Sequence, residues 1–600
     1  MNDAARKLGF DPDALRNKYR FERDKRVRSD GNSQYVEVTG EYAHFVDDPY
    51  IAEKIERDPL TDEVDVAIIG GGFGGLLMGA ALRRAGINNI RVIEKGSDFG
   101  GTWYWNRYPG AACDIEAYIY LPLLEELGYM PKRKFADAPE ILEHSRKIAR
   151  HFNLYENACL QTEVTQMRWD DSSSMWSIHT NRGDRIQARF VAMANGPLHR
   201  PKLPGIQGID DFKGHTFHTS RWDYEYTGGD AHGNLDHLGD KTVGIIGTGA
   251  TAVQCVPHLG AGAKELFVFQ RTPSSVDIRN DHETDEAWFS EQSQGWHQDR
   301  MDNFNTLLTG GFAKEDLVND GWTEIFRNLR TMIKDNADGG MTKEELARKT
   351  ELADFQKMEQ VRARVDEVVS NAETAEKLKP YYRQFCKRPC FHDEYLPTFN
   401  RTNVTLVDTN GKGVDRITEH GVVVNGKEYL VDCLVFATGF EVGTDYTRRS
   451  GYELYGRNGQ TLTDKWKDGM RTLHGMHTHG FPNCYVMGMT QTGLTANIPH
   501  MLKEQSEHIA YVVKHALEGN VRVLEATQQA EDDWVDTINR LARLGARFYA
   551  ECTPGYYNNE GRPGEGDGFL SGQYGGGSVE FFGLLDQWRK DGDLQGLEMA

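Results

Sequence analysis

Apolar residues along this chain fall into short runs that alternate between a strand period and a helix period. Val64, Val66, Ile68 and Ile69 form one run that ends in glycines. A helix-like stretch from Leu76 to Ala85 follows, Gly86 closes it, and Arg91-Val92-Ile93-Glu94 returns to a strand. Strand, helix and strand at this spacing predict a βαβ unit. A second unit begins at Lys241, where Thr242-Val243-Gly244-Ile245-Ile246 leads into Gly247, and it ends in Leu266-Phe267-Val268-Phe269. From about 284 to 379 the strand signals vanish. There Thr342-x-x-Glu345 reads as a capping box, and Val361, Val365 and Val368 recur at helical spacing. Strand patterns resume at 404–407, 421–424 and 434–436.

The first 60 residues differ from the rest. Asp11-Pro12-Asp13 is a helix start, and the run to about Arg28 is dense in charge, with Leu15, Tyr19 and Phe21 as its large apolar residues. This predicts a mostly solvated helix resting one thin side on the main body, a surface strap rather than a binding tail.

Composition narrows the function classes. Six hundred residues, 39% of them hydrophobic and 26% charged, fit a globular protein of two to four domains. A net charge of −21 argues against nucleic acid or an anionic membrane as partner. It does not oppose an anionic cofactor, which binds through helix N-termini and single arginines. The N-terminus lacks the apolar core of a signal peptide, and the most apolar window, 66–82, is broken by glycines. The eight cysteines show no metal-type spacing, and Cys386 and Cys390, separated by three residues, match neither a redox pair nor a zinc knuckle. Reduced thiols in a cytoplasmic protein, with no metal and no protein partner, are the expectation.

The two βαβ units carry the chemistry. Gly70-x-Gly72-x-x-Gly75 lies between strand and helix, the context a dinucleotide fingerprint requires. The first glycine permits the turn, the second lets the backbone approach a pyrophosphate, and the third lets helix and strand pack closely. Glu94 ends the next strand, where an acid accepts from ribose hydroxyls, so this site suits FAD or NAD rather than NADP. Gly247-x-Gly249-x-x-Ala252 repeats the device, but its second strand ends in Gln270-Arg271-Thr272. An arginine there pairs with a 2′-phosphate and favours NADPH over NADH. Two such sites in one chain imply electron transfer between a nicotinamide and a flavin. No Cys-x4-Cys redox pair accompanies them, which removes the disulfide reductases.

Between the fingerprints, FKGHTFHTSRWD supplies Phe212, Gly214, His218, Trp222 and Asp223 in the pattern Phe-x-Gly-x3-His-x3-Trp-Asp. This resembles the signature of the type I Baeyer–Villiger monooxygenases. A second stretch matches the family pattern through Gly101, Trp103, Tyr108, Pro109, Gly110 and Asp114, and Ala437-Thr438-Gly439 resembles a third. The resemblance runs from about 62 to about 560 and is strongest to N-terminally extended members that act on bulky cyclic ketones. It implies two Rossmann-like domains, for FAD and NADP, with a helical insertion and an N-terminal extension. The expected limits are an extension over 1–60, FAD-domain parts over 61–200 and 431–600, NADP-domain parts over 201–283 and 380–430, and an insertion over 284–379. It also implies the reaction: NADPH and O₂, acting through a flavin C4a-peroxide, convert a ketone into an ester or lactone.

The same resemblance assigns roles. Arg388 in Lys387-Arg388-Pro389-Cys390 is the cation that stabilises the anionic oxygen species, and Asp114 orients it. Lys387 joins Arg271 and Thr272 at the 2′-phosphate, while His218 takes a structural or gating role. One departure stands out. In GARFYAECTPGYYNNEG, Pro554 and Gly555 align with a mobile loop of the family, but the usual tryptophan position holds Arg547, leaving Phe548 and Tyr549 to supply bulk. Two other readings stay open: a flavin monooxygenase that oxygenates nitrogen or sulfur, and a non-enzymatic NADPH-responsive redox sensor.

Overall fold

The computed structural model describes residues 8–334, 342–442, 444–565 and 572–600. Its two main sheets form on the two predicted units. In the first, Glu63–Ile69 lies at the centre, parallel to Ile90–Ile93 on one side and to Arg185–Met193 on the other. Val66, Ala67 and Ile68 are fully buried, as expected of a parallel strand covered on both faces. The helix Phe73–Arg84 is buried from Phe73 through Leu82 and packs against Ile498–Glu518. A helix apolar all round has no solvent face to present, and here both its sides are covered. The antiparallel strands Val164–Asp170 and Met175–Thr180 extend the sheet outward.

The second sheet is parallel throughout, in the order Val404–Asp408, Glu265–Gln270, Thr242–Ile246, Cys433–Phe436, His215–His218. Cys433–Phe436 pairs with Thr242–Ile246, so this sheet reaches past the expected limit at 430. A run of four buried apolar residues does not encode which sheet it joins; the neighbouring strand decides that. The inserted segment is helical, and its longest helix, Lys343–Val368, carries the capping box predicted at Thr342 and Glu345.

The N-terminal helix forms as Pro12–Asp24, with the Asp11 side chain accepting from the Asp13 and Ala14 N–H groups. It is anchored more firmly than a solvated strap. The Tyr19 ring packs edge-on to Phe355 of the insertion at 5.3 Å, and Arg362 donates to its hydroxyl. Further along, Tyr35–Val36 pairs antiparallel with Leu203–Pro204.

Two expectations need correction. Cys386 and Cys552 form a disulfide across 166 residues of sequence, so the thiols are not all reduced. The other six cysteines are free and buried. Denatured without reductant, the protein is expected to titrate six thiols, and after reduction eight; eight without reductant would refute the bridge. The second correction concerns the C-terminal loop. Arg547, Phe548 and Tyr549 belong to the long helix Gln528–Glu551, and loop structure begins only at Cys552. The Arg547 side chain is 91% exposed and pairs with Glu551, so it does not stand in for the missing tryptophan. Phe548 packs on the disulfide cluster, and Tyr549 faces the central cavity.

Candidate active site

Both fingerprints open onto one cavity of about 2100 Å³ between the sheets. Gly70 and Gly247 adopt φ of +111° and +113°, and a Cβ at either would lie 2.6 or 2.3 Å from the carbonyl oxygen of Ala194 or Ala437. Only glycine satisfies both the turn and the contact. Gly72 and Gly249 are N-caps without side-chain hydrogen bonds, which leaves the first helical N–H groups and the positive dipole end facing the cavity. Gly75 and Ala252 do not line it. A Cβ on Gly75 would overlap the Gly70 carbonyl at 1.8 Å, and Ala252 is fully buried, so both serve close packing. Glu94 reaches the cavity with its carboxylate fixed by the N–H groups of Gly71 and Gly96, each at 2.6 Å. Gly101 and Trp103 line the same region, and Trp103 donates to the Tyr120 hydroxyl.

At the second fingerprint the structure gathers Arg271, Thr272 and Lys387 on one wall. Arg271 donates to Gln34 Oε1 at 2.6 Å and approaches Glu560 at 3.5 Å. Lys387 donates to the Pro554 carbonyl at 3.1 Å. Burial, reinforced by the neighbouring Arg271, pushes the Lys387 ammonium down to about 8.

Arg388 and Asp114 line the cavity on the other side of this segment. They do not form a direct ion pair. The Arg388 guanidinium makes no hydrogen bond or ion pair with a described residue and lies over the Trp322 ring at 5.3 Å. Burial, the largest single effect, would lower its pKa, but Asp114 together with Tyr557, Cys113 and Tyr556 more than offsets it and the guanidinium stays protonated. Burial lifts the Asp114 carboxyl above the ordinary aspartate range, opposed by Arg279 and then Arg388. One Asp114 carboxylate oxygen is buried without a hydrogen-bond partner. Trp322 touches both residues: its indole N–H donates to the Asp114 backbone carbonyl at 2.9 Å while its ring faces Arg388.

The Phe212–Asp223 signature lies outside the cavity lining. His218 is fully buried, and its Nδ1 accepts from the Ser220 N–H at 3.2 Å. Burial pushes it down to about 3, so it stays neutral with the proton on Nε2. Trp222 donates from its ring to Thr227 and from its backbone to Tyr50, and Asp223 holds both the Tyr226 N–H and His215. Gly214 is required because a Cβ would lie 2.5 Å from the Phe212 ring and 2.6 Å from the Asp432 carbonyl. These residues brace the strand His215–His218 against its surroundings.

Sequence reasoning missed Trp322, Arg279, Gln34 and Glu560. None sits in a motif, and each acts across a long sequence separation. Trp322 is one of three tryptophans in the helical insertion, with Trp288 and Trp296, and nothing in its sequence context singles it out.

Residues 67–283 match the model of the pyridine nucleotide-disulphide oxidoreductase family. Over 98% of its length the chain is 54% identical to 99% of neopentalenolactone D synthase from Streptomyces avermitilis. It is 48% identical to a Baeyer–Villiger monooxygenase of Streptomyces coelicolor, with 96% and 95% of the two chains covered. Among solved structures, a polycyclic ketone monooxygenase from the thermophilic fungus Thermothelomyces thermophila superposes with a TM-score of 0.88 at 39% identity, covering 98% of each chain. With two dinucleotide turns on one cavity and relatives of this closeness, the chain belongs to the Baeyer–Villiger monooxygenases, FAD-containing and NADPH-dependent enzymes.

Proposed function

We propose that this enzyme converts bulky cyclic or polycyclic ketones into esters or lactones, with Arg388 as its catalytic cation and Asp114 as the carboxylate that orients it. The net reaction joins ketone, O₂, NADPH and a proton to give ester, water and NADP⁺. Bound FAD supplies the activation of oxygen once NADPH has reduced it. The observation that carries the reading is a protonated arginine whose donors are unspent, in a cavity shared by both dinucleotide turns. Negative charge builds up as oxygen is delivered to a carbonyl, and a preorganised cation in a dry site stabilises it. An arginine suits because it does not surrender its proton.

The residues present fit both cofactors. Gly70, Gly72 and the helix N-terminus behind them would hold the FAD pyrophosphate, with Glu94 beside its ribose. Gly247 and Gly249 would hold that of NADPH, and Arg271, Thr272 and Lys387 its 2′-phosphate. The ketone class is supported by the likeness to a polycyclic ketone monooxygenase and by the bulk of the lining: Leu308, Phe326, Phe385, Leu541, Tyr549 and Tyr556. Incubation with NADPH, ¹⁸O₂ and cyclic ketones of increasing ring size is expected to yield products heavier by one ¹⁸O, with turnover favouring the polycyclic members. Label appearing on thioethers or amines while ketones stay unchanged would overturn the reading.

A further inference from the structure

The N-terminal extension does more than strap the surface. Gln34 and Tyr35 line the cavity, and Gln34 accepts from Arg271. Arg26 is 6% exposed and lies outside the cavity lining, against Arg271 and Thr272. Its Nε donates to the Arg271 carbonyl at 3.2 Å and to the Thr272 hydroxyl oxygen at 3.1 Å. Its other end is held by Glu22, through the backbone carbonyl at 2.7 Å and the carboxylate at 2.6 Å.

A guanidinium donates and never accepts, whereas a hydroxyl has one proton and two lone pairs. Arg26 therefore occupies the accepting side of Thr272. The Thr272 hydroxyl donates to no described residue, and Thr272 lines the cavity. Its proton is left for an acceptor on that side.

We propose that Arg26 is a positioning residue for coenzyme selection: by donating to the Thr272 hydroxyl it turns that proton toward the 2′-phosphate of NADPH. The extension is thus a working part of the coenzyme site. This rests on the reading that Thr272 and Arg271 meet the 2′-phosphate. Arg26 has no reason to affect NAD(H), which carries no group at that position. A fixed hydroxyl proton also costs less ordering on binding than a free rotor does.

The test is equilibrium binding of NADP⁺ and NAD⁺ to the full-length, flavin-loaded protein, for Thr272→Ala, Arg26→Ala and the double variant. Each single change is expected to cut the NADP⁺ over NAD⁺ preference about tenfold or more, in line with a lost hydrogen bond to a charged group. Because Arg26 acts through Thr272, the double variant is expected to be no worse than the weaker single one. Unchanged NAD⁺ affinity shows that the fold is intact. Arg26→Lys, which keeps a charged donor, is expected to restore most of the preference. If Thr272→Ala changes nothing, the phosphate reading and this inference both fall. If Thr272→Ala acts but Arg26→Ala does not, or the two losses multiply, or Arg26→Ala weakens both coenzymes equally, the site reading stands and the positioning role is refuted.

Discussion

Arg388→Ala is expected to retain FAD and to accept hydride from NADPH, yet to lose ester formation by at least about 10²–10³-fold, the loss typical when one preorganised partner of a developing anion is removed. The turn at Gly70 and the carboxylate of Glu94 are untouched by this change, so flavin binding survives. Arg279, the other arginine near Asp114, does not take over the oxygen-delivery step, because it lies outside the cavity lining. Arg388→Lys is expected to rescue poorly. A lysine lacks the planar fork, spreads less charge over the Trp322 face and can give up its proton. Asp114→Ala is expected to weaken the same step, since it removes the acidic group that interacts electrostatically with the guanidinium. Stopped-flow spectra that separate flavin reduction from reaction with O₂ make the distinction. Wild-type conversion of ketone by Arg388→Ala would show that the active site has been placed wrongly.

Arg271→Ala is expected to raise the Michaelis constant for NADPH far more than that for NADH. Loss of a hydrogen bond to a charged group costs roughly 1.5–3 kcal/mol, or about tenfold to a hundredfold in discrimination. Equal losses for both coenzymes would mean that Arg271 supports the fold instead. A pH dependence accompanies this. With Lys387 pushed down to about 8 by burial and then Arg271, the lysine carries its charge below that pH and loses it above. NADP⁺ affinity is therefore expected to fall from pH 7 to 9, while NAD⁺ affinity changes little. A bound phosphate stabilises the ammonium, so the midpoint in the complex lies higher than in the free protein. Arg271→Ala removes a like charge and is expected to move the free-protein midpoint upward as well. A flat NADP⁺ profile across this range would remove Lys387 from the site.

The sequence alone determined the two dinucleotide turns, because everything that makes them is local. A period-two apolar run, a glycine at positive φ and a helix N-terminus occupy about a dozen consecutive residues, and each element shows in the pattern of side chains. Tertiary structure decided what those turns face. The strand Cys433–Phe436 joined the second sheet because Thr242–Ile246 had a free edge for it, which no property of its own four residues specifies. Trp322 meets Asp114 across 208 residues, Arg26 meets Thr272 across 246, and Cys386 meets Cys552 across 166. Such contacts leave no period in the sequence, since they form only when packing of the intervening chain brings their ends together. The same reason governs the unspent donors of Arg388. An isolated Lys-Arg pair reads as solvated surface, and only the burial of its segment leaves that arginine over the Trp322 ring with no hydrogen-bond partner among the described residues.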